Sequence, residues 1–150
     1  MIIIKNQHEI ELMKKAGRIT AEALNLVSKF IKPGVSTFEL DKIIEDSIKK
    51  SGAKPSFLGL YGFPASACIS INNEVIHGIP SKDRLLKEGD IVKIDTGAYY
   101  EGFHGDSAKT FAVGNISENA KKLIDVTREC FYEGLKYAKV GCRIGDIGHA

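Results

Sequence analysis

Cysteine, long apolar runs and charge of one sign are all scarce in this sequence, and each scarcity excludes something. Only three cysteines, Cys68, Cys130 and Cys142, occur in 150 residues. They form no CxxC pair and leave one over, so neither a disulfide framework nor a structural zinc site is expected, and a reducing cytoplasm is the expected compartment. Basic and acidic side chains number 21 and 19, with no run of five like charges. Nothing therefore calls for a nucleic-acid or anionic-membrane partner, and the charges read as solvated faces. The opening Met1-Ile2-Ile3-Ile4 turns charged at Lys5, too short an apolar run for a signal peptide or a membrane span. What is present, 43% hydrophobic and 27% charged residues, is the composition of one soluble globular domain with a sizeable core.

Local signals divide the chain. Asn6 with Glu9 three residues on has the form of a capping box, and apolar or small residues then recur at helical spacing from Ile10 through Val27 to Phe30 or Ile31. Pro33-Gly34 stops that helix. Ser36 and Glu39 open a second, striped by Leu40, Ile43, Ile44 and Ile48 and ending near Gly52. Residues 53–66 have loop composition, with several aromatics. A short strand, Ala67 to Ile71, precedes a turn at Asn72-Asn73 and the segment Glu74 to Pro80. Strands from about Asp90 to Tyr100 and from about Asp106 to Val113 flank a Glu101-Gly102 turn, as a hairpin. A third long helix, striped from Ala120 to Ala138, closes at Gly141.

A weak internal repeat appears when residues 19–40 are laid on residues 126–147. Thr20, Glu22, Lys29, Lys32 and Gly34 recur as Thr127, Glu129, Lys136, Lys139 and Gly141. Chance likeness between two amphipathic helices stays open. If the repeat is real, 1–114 forms one half and 115–150 opens a second, whose hairpin is not in the sequence.

The residues with chemical promise lie in the hairpin. A turn centred between Tyr100 and Glu101 would set Asp95 directly opposite Asp106, and like charges so placed repel. Aspartate is also depleted in strands, so two in apolar sequence break the local rule as functional sites do. A shared proton, a basic neighbour such as Lys93 or Lys109, or a divalent cation on oxygen ligands would each relieve the pair. Spacing alone leaves a metal site and a structural ion pair equally open. His77, in the tight stretch His77-Gly78-Ile79-Pro80, is a candidate for proton transfer or hydrogen bonding. His104 is two residues from Asp106 and, if the strand extends that far, shares its face. It could equally ligate a metal itself or orient a ligand from behind Asp106. The loop carrying Phe57, Leu58, Leu60, Tyr61 and Phe63 either folds onto the core or, with Cys68, walls an apolar pocket. No spacing links Cys68 to a base that would make it a nucleophile.

Three stretches in order, Cys68-Ile-Ser-Ile-Asn-Asn-Glu-Val-Ile-His77-Gly-Ile-Pro80, Gly89-Asp-Ile-Val-Lys-Ile-Asp95 and Gly102-Phe-His-Gly-Asp106-Ser-Ala-Lys, closely resemble type I methionine aminopeptidase. The resemblance runs from the first helix to the last residue. It implies an α/β (α+β) pita-bread fold, two pseudo-symmetric halves closing over a dinuclear metal site, and hydrolytic removal of the N-terminal methionine from nascent proteins. It implies two divalent metal ions, for which cobalt, manganese, iron(II) or zinc would suit carboxylate and imidazole ligands. By the same resemblance Asp95 ligates one metal, Asp106 bridges both, and His77 contacts the substrate near the scissile amide. Phe63 and Cys68 map onto the methionine pocket, with Leu60 where other members often carry an aromatic residue. A cytoplasmic monomer acting near the ribosome, with no nucleic acid or membrane partner, completes the expectation.

Members of that family continue into a second half holding a further His and two Glu ligands. Two aspartates alone would make a poor dinuclear site, so the 1–150 chain by itself is expected to have little peptidase activity. Two rivals share the fold. A proline-cleaving aminopeptidase or prolidase would usually carry an extra N-terminal domain, whereas the first helix here opens at about residue 6. A non-catalytic peptide- or protein-binding module would tend to lose ligands, whereas Asp95, Asp106 and His77 are all present.

Overall fold

A computed structural model describes residues 2–150, so Met1 of the apolar opening lies outside it. The chain divides into two compact units, residues 1–115 and 116–150. In the first unit helix α1 (Gln7–Val27) and helix α2 (Thr37–Lys50) cover one face of a four-stranded antiparallel sheet. Both helices begin as their sequences predict. The Asn6 side chain accepts from the Glu9 N–H at 3.0 Å while the Glu9 carboxylate accepts from the Asn6 N–H at 2.7 Å, and Ser36 with Glu39 repeats the pattern. Each box satisfies two otherwise orphaned donors of a first turn. α1 ends earlier than its stripe suggests, passing at Ser28–Phe30 into a 3-10 turn before Pro33-Gly34.

The strands are β1 (Lys54–Pro55), β2 (Ala67–Ile71), β3 (Ile91–Tyr100) and β4 (Phe103–Ala112). β3 is the spine. β4 pairs along its whole length on one edge, while β2 and then β1 pair along the other. Alternation sends Ala67, Ile69, Val92, Ile94, Thr96 and Ala98 toward the helices, where all are fully buried with Ile19, Leu40, Ile44 and Ile48 close by in the same core. The other face carries Cys68, Lys93, Asp95, Gly97, His104, Asp106 and Ala108.

α1 reaches the hairpin through one close approach. A side chain at Gly105 would lie 2.4 Å from the Ala16 carbonyl carbon and the Gly17 nitrogen, so only glycine lets the helix settle there. The buried Thr20 hydroxyl seals the contact, donating to the Gly105 carbonyl at 3.0 Å and accepting from the Ala98 N–H at 3.1 Å. One hydroxyl thus ties α1 to both strands of the hairpin.

In the second unit helix α3 (Glu118–Leu135), capped by Ser117, and helix α4 (Ile144–His149) meet at Gly134, where a Cβ would stand 3.0 Å from the Ile147 carbonyl oxygen. The expected third helix is shorter than its stripe, closing at Leu135 rather than at Gly141, because residues 136–138 tighten into i→i−3 turns. Leu123, Phe131 and Leu135 of its apolar stripe remain exposed. Local geometry recurs at the aligned positions. Gly34 and Gly141 adopt φ of +88° and +92°, and two residues later the Ser36 and Arg143 N–H groups donate to Glu39 and Asp146.

These contacts make opposite predictions for two glycine substitutions. Gly105→Ala must push α1 off the hairpin and should cost about 1–3 kcal/mol in urea-unfolding free energy, the usual range for overpacking. Gly17→Ala meets nothing within 4 Å and should gain up to about 1 kcal/mol from helix propensity. Equal effects at the two positions would refute the close-approach account.

Candidate metal and substrate site

The hairpin turn decides how the two aspartates meet. Glu101 and Gly102 both take left-handed backbone, with φ of 45° and 92°, as the central pair of a two-residue hairpin loop requires. Tyr100 therefore pairs with Phe103, and the register runs on to Gly97 with Asp106 and Asp95 with Ala108. The expected direct opposition of Asp95 and Asp106 is wrong by two residues. The turn centres between Glu101 and Gly102, and β4 begins at Phe103 rather than near Asp106. The aspartates still share a face because the error is even. They are diagonal neighbours, a relation that leaves Cβ atoms about 7–8 Å apart, within reach of two carboxyl groups or of one ion between them.

Neither lysine relieves the pair. Lys93 is on the same face, but its ammonium donates to the Asn72 carbonyl, and burial draws its pKa down. Lys109 alternates to the opposite face, where its ammonium lies 5.3 Å from the Phe111 ring centre. Among the described residues no ion pair involves Asp95 or Asp106. Burial first, then the Asp106 charge and a hydrogen bond to it, push Asp95 up to about 6, and the nearby His77 opposes this weakly. Cys68, paired with Asp95 across β2 and β3, is pushed up to about 11 by burial and then by Asp95 and Asp106. Its thiol is protonated at neutral pH, a small apolar surface rather than a nucleophile.

His77 is exposed and takes φ of +61°, a conformation histidine visits more readily than most side chains but still at some cost. Its neighbour holds it there. The Gly78 N–H donates to Ser70 Oγ at 3.0 Å and its carbonyl accepts from the Ile69 N–H at 2.8 Å, along the free edge of β2. A Cβ on Gly78 would sit 2.2 Å from the Ile69 oxygen, so this dock admits glycine alone. His104 lies on the Asp106 face, as alternation requires, but its Nδ1 bonds Ser56 Oγ at 2.9 Å and its ring lies 4.7 Å from that of Tyr99. Leu60 (52% exposed) and Tyr61 stand in solvent and Phe63 is half-buried, so the aromatic loop is not folded onto the core.

Two contributors were not anticipated. Asp41 accepts from the Ser66 and Ala67 N–H groups, each at 2.9 Å, and so fixes the strand entry that delivers Cys68. Its signal was available, since Thr37, Asp41 and Glu45 follow one another at four-residue steps along the buried side of α2. Ser56, by contrast, carries no signal in its own neighbourhood. It reaches the face because Gly97 has no side chain, a Cβ there falling 3.0 Å from Ser56 Cβ.

Two unpaired carboxylates beside an exposed imidazole suit a hard or borderline divalent cation, which takes oxygen ligands and cancels their repulsion. By themselves they are too few to hold one tightly. Among the described residues no three His, Cys, Asp or Glu side chains gather to hold an ion. In chelator-treated protein the raised Asp95 pKa makes the folded state bind a proton that the unfolded chain, with a carboxyl pKa near ~3.9, has already lost. Stability should therefore fall as pH rises from about 4 to about 6. Asp95→Asn should flatten that slope and raise the melting temperature at pH 7 while changing little at pH 4. A variant less stable than the parent at pH 7 would contradict the repulsion.

Comparison with known proteins shows the family. Residues 11–150 match metallopeptidase family M24. A methionine aminopeptidase of Clostridium acetobutylicum is 58% identical over the whole of this chain, which covers 60% of that relative. The crystal structure of methionine aminopeptidase from Thermotoga maritima superposes with a TM-score of 0.97 at 45% identity, over 99% of this chain and 60% of that one. Prolidase from Pyrococcus furiosus has a TM-score of 0.77 at 29% identity, over 88% of this chain and 37% of the other. The chain thus spans about three-fifths of the length of the methionine aminopeptidases it matches. With the pita-bread sheet, its helices and these matches in agreement, the chain belongs to metallopeptidase family M24.

Proposed function

We propose that this chain supplies the first part of a methionine aminopeptidase, with Asp95 and Asp106 among the ligands of its divalent metal ions. The observation that carries the reading is the pair itself: two carboxylates on one face of a β-hairpin, with no cationic side chain among the described residues bonded to either. Asp95 would bind one ion and Asp106 would bridge two. Bound there, divalent cations such as cobalt, manganese, iron(II) or zinc supply the Lewis acidity that polarises a peptide carbonyl and activates water.

The chain's own residues bind and orient. His77, presented to solvent on a loop docked along β2, would hydrogen-bond near the scissile amide. Phe63 and the neutral thiol of Cys68 would offer a soft, apolar surface for a methionine side chain, with Leu60 extending it. His104 would restrain the Asp106 end of the face, with its ring held by Ser56 and Tyr99. The substrates would be peptides with a free N-terminal methionine, including nascent chains met at the ribosome, handled by a cytoplasmic monomer. None of the helices among the described residues is long and apolar enough to cross a membrane. A proline-directed specificity is disfavoured by the higher identity and TM-score of the methionine enzymes.

The remaining ligands would come from outside the described residues, so the 1–150 polypeptide should bind divalent cations weakly and turn over little substrate. Brisk release of methionine from a Met-Gly-type peptide by verified 1–150 material with added metal would contradict that. In the full-length protein carrying this chain, chelation should abolish methionine release and added divalent metal should restore it. Asp106→Asn should leave a trace of activity at most. His77→Ala should lower kcat by about 100-fold or more with metal content unchanged, the range for losing one hydrogen-bonding group aimed at the reacting carbonyl. Undiminished turnover by Asp106→Asn would overturn the assignment.

A further inference from the structure

The segment from Ile71 to Arg84 is held by more than its glycine. Its far end is anchored to the start of α2, where the Thr37 N–H donates to the Arg84 carbonyl at 2.9 Å and the Ser81 N–H donates to Thr37 Oγ1 at 2.9 Å. Leu86, buried beside them, exchanges backbone hydrogen bonds with residues 34 and 35 at 2.8 and 2.9 Å. The backbone of Arg84 is thus fixed to the scaffold, and its side chain turns back toward the loop that precedes it. The guanidinium donates to the Ile79 carbonyl at 3.0 Å and to the carboxylate of Glu74, and lies 3.5 Å from the Ile69 carbonyl of β2. Glu74 itself accepts from the Ile71 N–H at 2.9 Å at the end of β2. The two clamped groups lie three residues before and two residues after His77.

We propose that Arg84 is the positioning residue for His77, its guanidinium bridging Glu74 and the Ile79 carbonyl so that the loop holds the imidazole in its left-handed backbone conformation. This rests on reading His77 as a substrate contact. The physical case is one of order. Val75 and Ile76 are exposed and Ile79 is half-exposed or more, so apolar burial does little to fix the loop. Gly78 is a single point of attachment, about which a tripeptide could pivot. A planar fork with several fixed donors can span a carboxylate and a carbonyl at once, which an ammonium cannot. Charge-assisted bonds at both ends then remove the pivot.

The test compares Arg84→Met, Arg84→Lys and Glu74→Gln in the isotope-labelled chain by amide hydrogen exchange and NMR of the His77 ring. Arg84→Met should speed exchange at Ile69 and Gly78, the two amides of the loop dock, by about tenfold or more. Exchange at Val92 and Ile94 in the core of β3 should stay within about twofold, and the His77 ring signals should broaden or move. Arg84→Lys should recover part of the protection and Glu74→Gln should lose part of it. Unchanged protection at Gly78 in Arg84→Met overturns the proposal, as does an even loss across β2 and β3, which would mark a general structural role. If Arg84→Met does not fold, the milder Glu74→Gln decides, and an unchanged Gly78 there overturns it equally. A Met-Gly-type peptide added with metal to the full-length protein carrying this chain reads the other claim separately. A His77 ring that ignores the peptide while Arg84→Met still frees the loop would count against the substrate reading and not against the clamp.

Discussion

The arrangement of this chain depends on two consecutive left-handed residues, Glu101 and Gly102. A two-residue loop with both φ values positive matches the twist of the strands it joins and admits one register. The β4 side of the candidate face follows from that register: Asp106 lies one step diagonally from Asp95, and His104 stands against Tyr99. A slip of one strand by a single residue would turn Asp106 toward α1 and bring a side chain where Gly105 now admits the helix backbone. Packing and chemistry therefore hold the same register from opposite faces. Thr20 reinforces it by bonding both strands at once.

The carboxylate pair is a local conflict that the surrounding structure declines to resolve. A protein optimised only for stability would have let Lys93 answer Asp95, since the two share a face, yet the ammonium is taken up by the Asn72 carbonyl. The result is a half-buried acid held near pKa 6 and a thiol pushed near 11. Burial is the first cause of both shifts, and the negative potential gathered there, which a cation would relieve, adds to it. Structural ion-pair networks also perturb pKa values, but they do so by pairing, and pairing is what this face lacks among its described residues.

Much of this was legible in sequence where the determinants are local. Asn6 with Glu9 and Ser36 with Glu39 announce helix starts through side chains three residues apart, and the stripes that follow name Ala23, Val27, Leu40, Ile44 and Ile48 as core. The alternation that put both aspartates on one face survives any even error in register. The register itself was not legible, because it turns on whether a glutamate accepts a left-handed conformation, which composition does not reveal. Ser56 was hidden for a different reason. Its place depends on a missing side chain forty-one positions away at Gly97, and long-range complementarity of that kind leaves no mark in the local sequence. The ends of α1 and α3 were overrun because a 3-10 turn continues an apolar stripe nearly in phase with the helix it closes.

Backbone strain completes the physical case for the face. Of the four described non-glycine residues with positive φ, Tyr61 lies in the exposed loop before β2, Asn72 in the turn after β2, His77 in the loop docked along β2, and Glu101 in the turn that sets the hairpin. Each conformation is unfavourable for a side chain, by about 1 kcal/mol or more. Two have flanks that are held, His77 by the Gly78 dock and Glu101 by the full β3 and β4 ladder. Chains chosen for stability alone relax such positions to glycine or asparagine. An exposed histidine at a left-handed position accords with the substrate contact proposed for it, and the fold supplies the edge of β2 on which to hold it.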